Sequence, residues 1–466
     1  VVADNALPGA SISAVTDPTL VPLRPRGGRR AHIDAADRGQ ITAASPYPQG
    51  MDDGNDDAIT PGGDDADNNP FAGIPLFGDL SRALSGQGPL NWDAARQFAL
   101  LAASGGDMAG AMVPGGSAPV PTANIEPSVR IKYAELAGIA RLHVADVMQL
   151  TVIDSDPEVA TPEQWAAQTL DAYRPLFNDM ATSLGQTGDD DGSGDPMMQM
   201  MAGLSKMMAP AMMGMSVGSM VGGLARRAFG VYDLPIPREG GFASKLVVVP
   251  PTIDKFAADS EIALDEMRLW VIAHEMAGHT LLSIPHIADH LRSLVQRHVG
   301  AFRPDSSAMT EKLTSLDVDQ SDPIAAMQAA FGDPEVLLGA VRSAEQVALE
   351  PELDTAVAVT IGVIDWVVDA VAVRIIGGNA LPIADAVRRR RAEASPDDMF
   401  VERLLGIRLG ADQTGRGKAF VQGVVDRGGE NGLAPLFNDA DAVPTPNEIG
   451  APGLWLARVA DFDSAD

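Results

Sequence analysis

One short stretch is the clearest β-strand in the sequence, and helical spacing dominates the rest. Residues Lys245–Pro250 are rich in β-branched side chains and are stopped by two consecutive prolines. Apolar residues elsewhere recur at helical spacing, most clearly over 264–282, 286–299, 323–331, 334–348, 352–376 and 397–406. We therefore predict a mainly α fold with a small β-sheet.

Capping residues predict where two of the helices begin. Asn91 is a predicted N-cap for a helix that runs through Leu100, and Thr161 to Gln164 form a capping-box pattern that opens a helix over about 161–184. A further helix is predicted at about 127–150.

A Met- and Gly-rich segment at 197–223 holds ten of the 20 methionines. It is uncharged from Met207 to Ala225, but Pro210 interrupts it and small residues are frequent. We predict a buried hairpin, with contact with a membrane as the less favoured alternative. A protein partner at this segment is also considered, because methionines adapt to irregular surfaces.

Charge and cysteine content exclude several classes of function. The 34 Lys and Arg residues against 63 Asp and Glu residues give a net charge of −29, which repels nucleic acid and anionic lipid. The chain has no cysteine, so any metal site must use His, Asp and Glu. The first residues show no signal-peptide pattern, so we expect a cytoplasmic protein.

Three regions are predicted along the chain. Residues 1–70 are expected to form a flexible, low-complexity acidic segment, because seven aspartates between Asp52 and Asp67 lie among Gly, Asn and Pro. Residues 71–459 are predicted to form a single domain, and 460–466 a C-terminal tail.

Five of the seven histidines fall between His274 and His298, which suggests a metal site. The zinc-peptidase motif, H-E-x-x-H on a helix, places two imidazoles four residues apart and a glutamate beside them that polarises water. Here His274-Glu275 is followed by Gly278, and the next histidine, His279, comes one residue late. On a regular helix His274 and His279 point about 140° apart.

Three alternatives to the standard motif remain open. A π-bulge near Gly278 would re-aim His279, or Glu275 and His279 would form a metal-binding pair. His286 and His290, also four residues apart, are a separate candidate pair.

Two carboxylates interrupt an otherwise apolar segment between 356 and 373. Asp365 and Asp369 lie one helical turn apart, and buried carboxylates must be paired, protonated or metal-bound. Salt bridges to Arg374 or to the run Arg388–Arg391 are the first interpretation, and a metal ligand or a partner of a ligating histidine is the second. The arginine run itself is expected to form a solvated helix face.

Several ordered blocks resemble the zincin-like metallopeptidase family of actinobacteria, which is related to a branch associated with coenzyme F420 biosynthesis. The resemblance covers about Asn69 to Val459, and its blocks are NPFAGIPLFGDL, LDEMRLWVIAHE, IPHIADHL, GVIDWVVDAV, RRRRAEA and LFNDADAVPTPNEIGAPGLWLARV. It implies a mainly helical zincin-like domain with a strand ahead of the active helix.

The resemblance also implies a zinc site, which this sequence matches only in part. His274 takes the position of the first ligand and Glu275 that of the general base, whereas Gly278 stands where the second histidine belongs. The family's later glutamate falls on Ile361, and Asp365 is the nearest acid.

Two functions follow from these observations. The first is a zinc-dependent metallopeptidase-like hydrolase acting on a peptide or protein, with His274, His279 and Asp365 as zinc ligands and Glu275 as the catalytic base. The second is an inactive zincin-fold scaffold, a pseudoenzyme that acts by protein interaction.

Overall fold

Helices form most of the described chain. The computed structural model describes residues 88–106, 124–185, 196–303, 343–393 and 396–463. All of them belong to a compact unit that spans Asn69–Asp466. The predicted flexible segment 1–70, the predicted helix at 323–331, most of that at 334–348 and the end of the predicted tail lie outside the described residues.

The helices and strands of these residues are, in chain order, α1 (Trp92–Ala103), α2 (Pro127–Met148), β1 (Glu158–Val159), α3 (Pro162–Ala172), α4 (Arg174–Gly185), α5 (Pro196–Ala225), β2 (Val247–Val248), α6 (Pro250–Asp259), α7 (Leu264–Leu281), α8 (Pro285–Gly300), α9 (Ala344–Ile375), α10 (Ala380–Ala392), α11 (Pro396–Leu405), α12 (Ala411–Gly428), α13 (Ala434–Asn438) and α14 (Pro452–Asp463). Short 3₁₀ turns lie at Gly241–Ala243, Gly377–Asn379, Glu430–Leu433 and Ala440–Ala442. The predicted fold class, mainly α with a small sheet, is confirmed.

The predicted helix caps are confirmed by their hydrogen bonds. The Asn91 side chain accepts the N–H of Ala94 at 2.9 Å. Thr161 and Gln164 each accept the other's backbone N–H, at 3.3 and 3.0 Å. The predicted helix over 161–184 is divided into α3 and α4, because Pro175 has no N–H to continue the helical ladder across the junction.

The sheet consists of two short parallel strands. Glu158 lies opposite Val247 and Val159 opposite Val248. Gly230 adds an antiparallel bridge on the other side of Val248. The predicted strand before the His-rich helix is thus confirmed, and the sheet fixes the chain just ahead of α6 and α7.

The Met- and Gly-rich segment is a single helix, so the predicted hairpin is wrong. The helix α5 continues through Pro210, whose carbonyl oxygen accepts the N–H of Asn91 at 2.9 Å. A proline removes one donor from a helix but does not force the chain to reverse. Gly214, Gly218 and Gly222 lie against the backbone of α1, which explains why this stretch uses small residues.

The core of the described unit is built around α7 and α9. From Leu269 to Leu281 every residue of α7 is buried, and α7 contacts α2, α6 and α9. Among the described helices, Ala344–Ile375 alone is long and apolar enough to cross a membrane, yet 78% of its apolar window is buried inside the protein. That burial is typical of a core helix, which is apolar on all sides because neighbours surround it.

The contact between α1 and α5 gives a stability prediction. A Cβ at Gly218 would overlap the carbonyl group of Ala95, so we expect Gly218→Ala to lower the free energy of unfolding by about 1–3 kcal/mol. Gly138 is the matched control, since a Cβ on that residue of α2 meets no atom within 4 Å. Gly138→Ala should raise the free energy by about 0.5–1 kcal/mol. Urea unfolding of both variants measures the difference, and equal effects would contradict the packing described.

Candidate functional site

The three residues at the zincin-motif position all lie inside α7. His274, Glu275 and His279 are buried, and α7 is regular α-helix across them. The first of the three alternatives, a π-bulge near Gly278, is therefore not present. With regular helical geometry His274 and His279 point about 140° apart, so the two imidazoles do not converge as a pair four residues apart would.

A loop between α5 and β2 covers this part of α7. We call Phe229–Asp233 the covering loop. Its Val231 and Tyr232 N–H groups donate to Glu275 Oε2 at 2.7 and 2.9 Å. The Glu275 carboxylate, which is fully buried, thus accepts backbone hydrogen bonds at the place where a zincin glutamate would face water.

Other contacts fix the covering loop from outside α7. Trp165 Nε1 donates to the Gly230 carbonyl at 2.7 Å, and Val249 N–H donates to the Phe229 carbonyl at 2.8 Å. A Cβ on Gly230 would overlap the Glu275 carboxylate, so glycine is required where the loop crosses it. The loop and the glutamate are packed as one unit.

Burial raises the pKa of Glu275 above the ordinary range of a glutamate, and the charge of Asp233 acts in the same direction. His274, whose Nδ1 lies 3.2 Å from Glu275 Oε1, and the Tyr232 N–H act to lower it. Burial is the largest of these effects. Both loop hydrogen bonds end on Oε2, so they do not depend on whether Oε1 carries a proton.

The two histidines of α7 have aromatic neighbours. His274 stacks on Trp270, with ring centroids 5.4 Å apart and an interplanar angle of 16°. His279 Nδ1 lies 2.9 Å from the Tyr232 hydroxyl, and burial raises the pKa of that phenol. Each imidazole is held by ring contacts within the protein core.

The position of the missing ligand is filled by Tyr232. A Cβ on Gly278 would lie 2.7 Å from Tyr232 Cβ and 2.8 Å from Tyr232 Cγ. These separations are far below a carbon–carbon contact, so no larger side chain fits at Gly278 while Tyr232 keeps its place. The glycine and the tyrosine are complementary in shape.

Asp365 of α9 is neutralised by the arginine run of α10. Its carboxylate lies 3.3 Å from Arg388 Nε and 3.2 Å from Arg391 Nη1. Burial alone would raise the pKa of Asp365, but Arg391 and Arg388 outweigh burial and hold it below its usual value. The first interpretation of this carboxylate, a salt bridge to the arginine run, is confirmed, whereas Arg374 binds Asp146 of α2 instead.

The arginine run is not a solvated face, contrary to the expectation from sequence. Arg388 also binds both oxygens of Asp369, at 2.7 and 2.6 Å. The Arg390 guanidinium lies 3.8 Å from the ring centroid of Phe229 in the covering loop. Three of the four arginines therefore connect α10 to the site.

The secondary candidates lie elsewhere. His286 Nε2 is 2.9 Å from the Leu436 carbonyl oxygen, so it contacts α13. His290 lines a small apolar cavity with Leu281 and Val363, and burial lowers its pKa. Asp369 is paired with Arg388, and Lys418 Nζ lies 3.8 Å from it.

The residues do not fit a zinc ion. In the described ranges no three His, Asp or Glu side chains are grouped so that they could hold a metal, and His274, His279 and Asp365 are all described. Zinc needs three or four converging ligands. Here one carboxylate is paired with two arginines and the motif position is a glycine.

The sequence did not identify Tyr232 and Trp270 as site residues. Trp270 is four residues before His274, and that spacing indicates a neighbour on the same helix face. Nothing local identifies Tyr232, which comes from a distant loop. A glycine at a ligand position indicates only that some other group fills the space.

Comparisons with known proteins agree with the fold. Residues 90–456 match the family model described as zincin-like metallopeptidase. A crystal structure of a proposed hydrolase with a novel fold, from Chloroflexus aurantiacus, superimposes with a TM-score of 0.52 and 20% sequence identity. The match covers 80% of this chain and 99% of that one, and at this identity it concerns the fold alone. No curated protein matches the chain.

The buried ion pairs lead to a second stability prediction. Asp365→Asn leaves two partly buried arginines without their common carboxylate, so we expect a loss of about 3–5 kcal/mol in the free energy of unfolding at pH 7. Asp369→Asn is the control, because its carboxylate is one-third exposed and should cost less. Urea unfolding at pH 7 compares the two. Similar costs would contradict the role given to Asp365.

The same carboxylate predicts an acid dependence. Because the folded-state pKa of Asp365 is lowered, its contribution is fully present above the unfolded value near 4 and is lost as the pH falls through the folded value. The wild-type protein should therefore lose more stability than Asp365→Asn between pH 5 and pH 3. Parallel curves of unfolding free energy against pH would exclude this.

Proposed function

This chain belongs to the zincin-like metallopeptidase family, and from that premise we propose that it is a catalytically inactive member, a zincin-fold scaffold that acts by binding. The observation that carries the proposal is the contact of Tyr232 with Gly278. The ring of Tyr232 lies where the side chain of the second zinc ligand would project.

The chemistry of Glu275 supports the same conclusion. A general base must reach a water or a substrate proton within hydrogen-bond distance. Glu275 is fully buried, and the Val231 and Tyr232 N–H groups point at the oxygen that such a water would need. In the proposed function this carboxyl holds a loop in place.

A zinc-dependent hydrolase acting on a peptide or protein is the competing function, and the retained His274-Glu275 pair favours it. Zinc would then require His274, His279 and an acid such as Asp365 to converge. That arrangement needs the covering loop to leave Glu275 and both arginines to leave Asp365. The cost of separating a buried carboxylate from its partners, about 3–5 kcal/mol, argues against it.

The cellular setting and the partner are also proposals. We place the protein in the cytoplasm, with a protein partner at the Met-rich segment 197–223 and without nucleic acid. The glycine face of α5 is used against α1. Methionines on its other faces, such as half-buried Met212 and Met215, are the ones left for a partner.

Zinc content tests the proposal directly. The full chain, loaded with equimolar zinc and then dialysed, should retain well below one zinc per chain, and its thermal midpoint should not change with zinc. A peptide library should show no cleavage above that of Glu275→Gln. Near one zinc per chain in the wild type, lost in both His274→Ala and His279→Ala, would overturn the proposed empty site. Cleavage by the wild type that Glu275→Gln lacks would establish the hydrolase.

A reverse experiment uses the shape of the site. Gly278→His alone should destabilise the protein, because the new side chain meets Tyr232. In combination with Tyr232→Ala the space is open, so the double variant should lose less stability than the sum of the two single variants and should bind more zinc than the wild type. If Gly278→His alone is tolerated and binds zinc, Tyr232 is not the barrier.

Glu275→Gln gives a second readout that does not depend on metal. The raised pKa of Glu275 means that its charged form is disfavoured in the folded state, so stability should fall as the pH rises above the unfolded value near 4. Glutamine keeps an acceptor for the loop and carries no charge. The variant should match or exceed wild-type stability at pH 7 in urea unfolding, and a large loss would show that the ionised carboxylate is needed.

A further inference from the structure

A cavity of about 140 Å³ lies beside the covering loop. It is bounded by the end of α5, the end of α10, α11 and the segment 407–410, together with Trp165. His274, Glu275 and His279 do not line it. Clefts that hold drug-sized ligands measure roughly 300–1,000 Å³, so an occupant of this cavity is a small molecule.

Most of the cavity wall is apolar. Leu234 comes from the chain after the covering loop, Val401 from α11, and Ile407 and Leu409 from the segment that follows α11. Such a wall selects a ligand with an aliphatic body, since burying apolar surface is favourable by about 25 cal/mol per Å².

Three arginines line the cavity, and two of them already bind other groups of the protein. Arg227 Nη2 donates to the carbonyl oxygens of Arg390 and Glu393, at 3.4 and 3.5 Å. Arg390 donates to the Arg227 carbonyl and stacks on Phe229. These guanidinium groups hold α10 to the end of α5.

Arg391 is different because half of its guanidinium is unused. Its Nη1 donates to both oxygens of Asp365 at 3.2 Å. Across the described residues, Nη2 and Nε of Arg391 have no acceptor, and the side chain is 16% exposed. A planar donor pair of this kind is suited to a carboxylate.

A carboxylate with a spare oxygen lines the same cavity. Asp233 Oδ2 accepts the Phe229 and Gly230 N–H groups. Its Oδ1 has no donor in the part of the chain that the structure describes. Glu402 adds a second carboxyl group to the wall. The cavity therefore combines one cation with free donors, an acidic side and an aliphatic wall.

We propose that this cavity binds a small α-amino acid with an aliphatic side chain. The ligand carboxylate meets Arg391, its ammonium group meets Asp233, and its side chain packs on Val401, Ile407 and Leu409. This binding site requires neither zinc nor catalysis, so it is independent of the function proposed for α7. It gives the inactive fold a small-molecule ligand.

The first test compares the binding of an amino acid to the full chain with that of two analogues, each of which lacks one of its charged groups. Isothermal titration and thermal unfolding are measured with L-leucine, 4-methylpentanoate and 3-methylbutylamine, with and without EDTA. Leucine should bind and raise the melting temperature. Each analogue lacks one charged partner and should bind at least about tenfold more weakly. EDTA should change nothing.

Two variants locate the site. Ala392 lies exposed at the rim of the cavity, so Ala392→Trp should close the entrance and abolish leucine binding. Leu381→Trp on the same helix is the matched control, since Leu381 is 62% exposed and outside the cavity lining. The control should bind leucine as the wild type does, with both variants folded by circular dichroism.

A third variant separates the two charged contacts. Asp233→Asn keeps an oxygen for the loop N–H groups but removes the charge. It should weaken leucine at least about tenfold and leave 4-methylpentanoate unchanged. The proposal is overturned if leucine gives neither heat nor a melting shift at millimolar concentration. It is also overturned if 4-methylpentanoate and 3-methylbutylamine bind as tightly as leucine, or if Ala392→Trp still binds leucine.

Discussion

The arrangement of the site depends on one buried carboxyl group. Glu275 accepts the N–H groups of Val231 and Tyr232, and these bonds place the covering loop across α7. A buried acceptor left without donors is costly, and so are buried N–H groups left without an acceptor. Loop and glutamate therefore satisfy each other. The position of Tyr232 over Gly278 follows from the two hydrogen bonds beside it.

Local features of the fold could be predicted from sequence because their causes are local. The caps at Asn91 and Thr161 depend on side chains within three residues of the backbone groups that they bind. The strand at Val247 is bounded by its own prolines. By contrast, the path of α5 could not be predicted. Pro210 indicates only that one backbone N–H is missing from the helix. Whether the helix continues depends on packing against α1, which lies far away in sequence.

The sequence indicates which kinds of residue form the site, but it does not indicate which partner each of them binds. The sequence indicates that Asp365 needs a cation, and the four arginines of the run Arg388–Arg391 and Arg374 were all available to it. Only the tertiary arrangement decides that Arg388 and Arg391 bind Asp365 while Arg374 binds Asp146. Similarly, Gly278 shows that a ligand is missing. The group that fills the space comes from a loop with no sequence mark of its own.

The small sheet has a consequence for how the chain folds. Trp165 contacts Gly230 across 65 residues of sequence, and β1 reaches β2 over a still longer separation. Contacts between residues so far apart in sequence close large loops, so they form slowly, after the local helices. The covering loop depends on them, so we expect it to be laid onto α7 late in folding. On this order of events, Glu275 gains its two backbone donors only after the sheet has formed, so the closing of the site is tied to the pairing of β1 with β2.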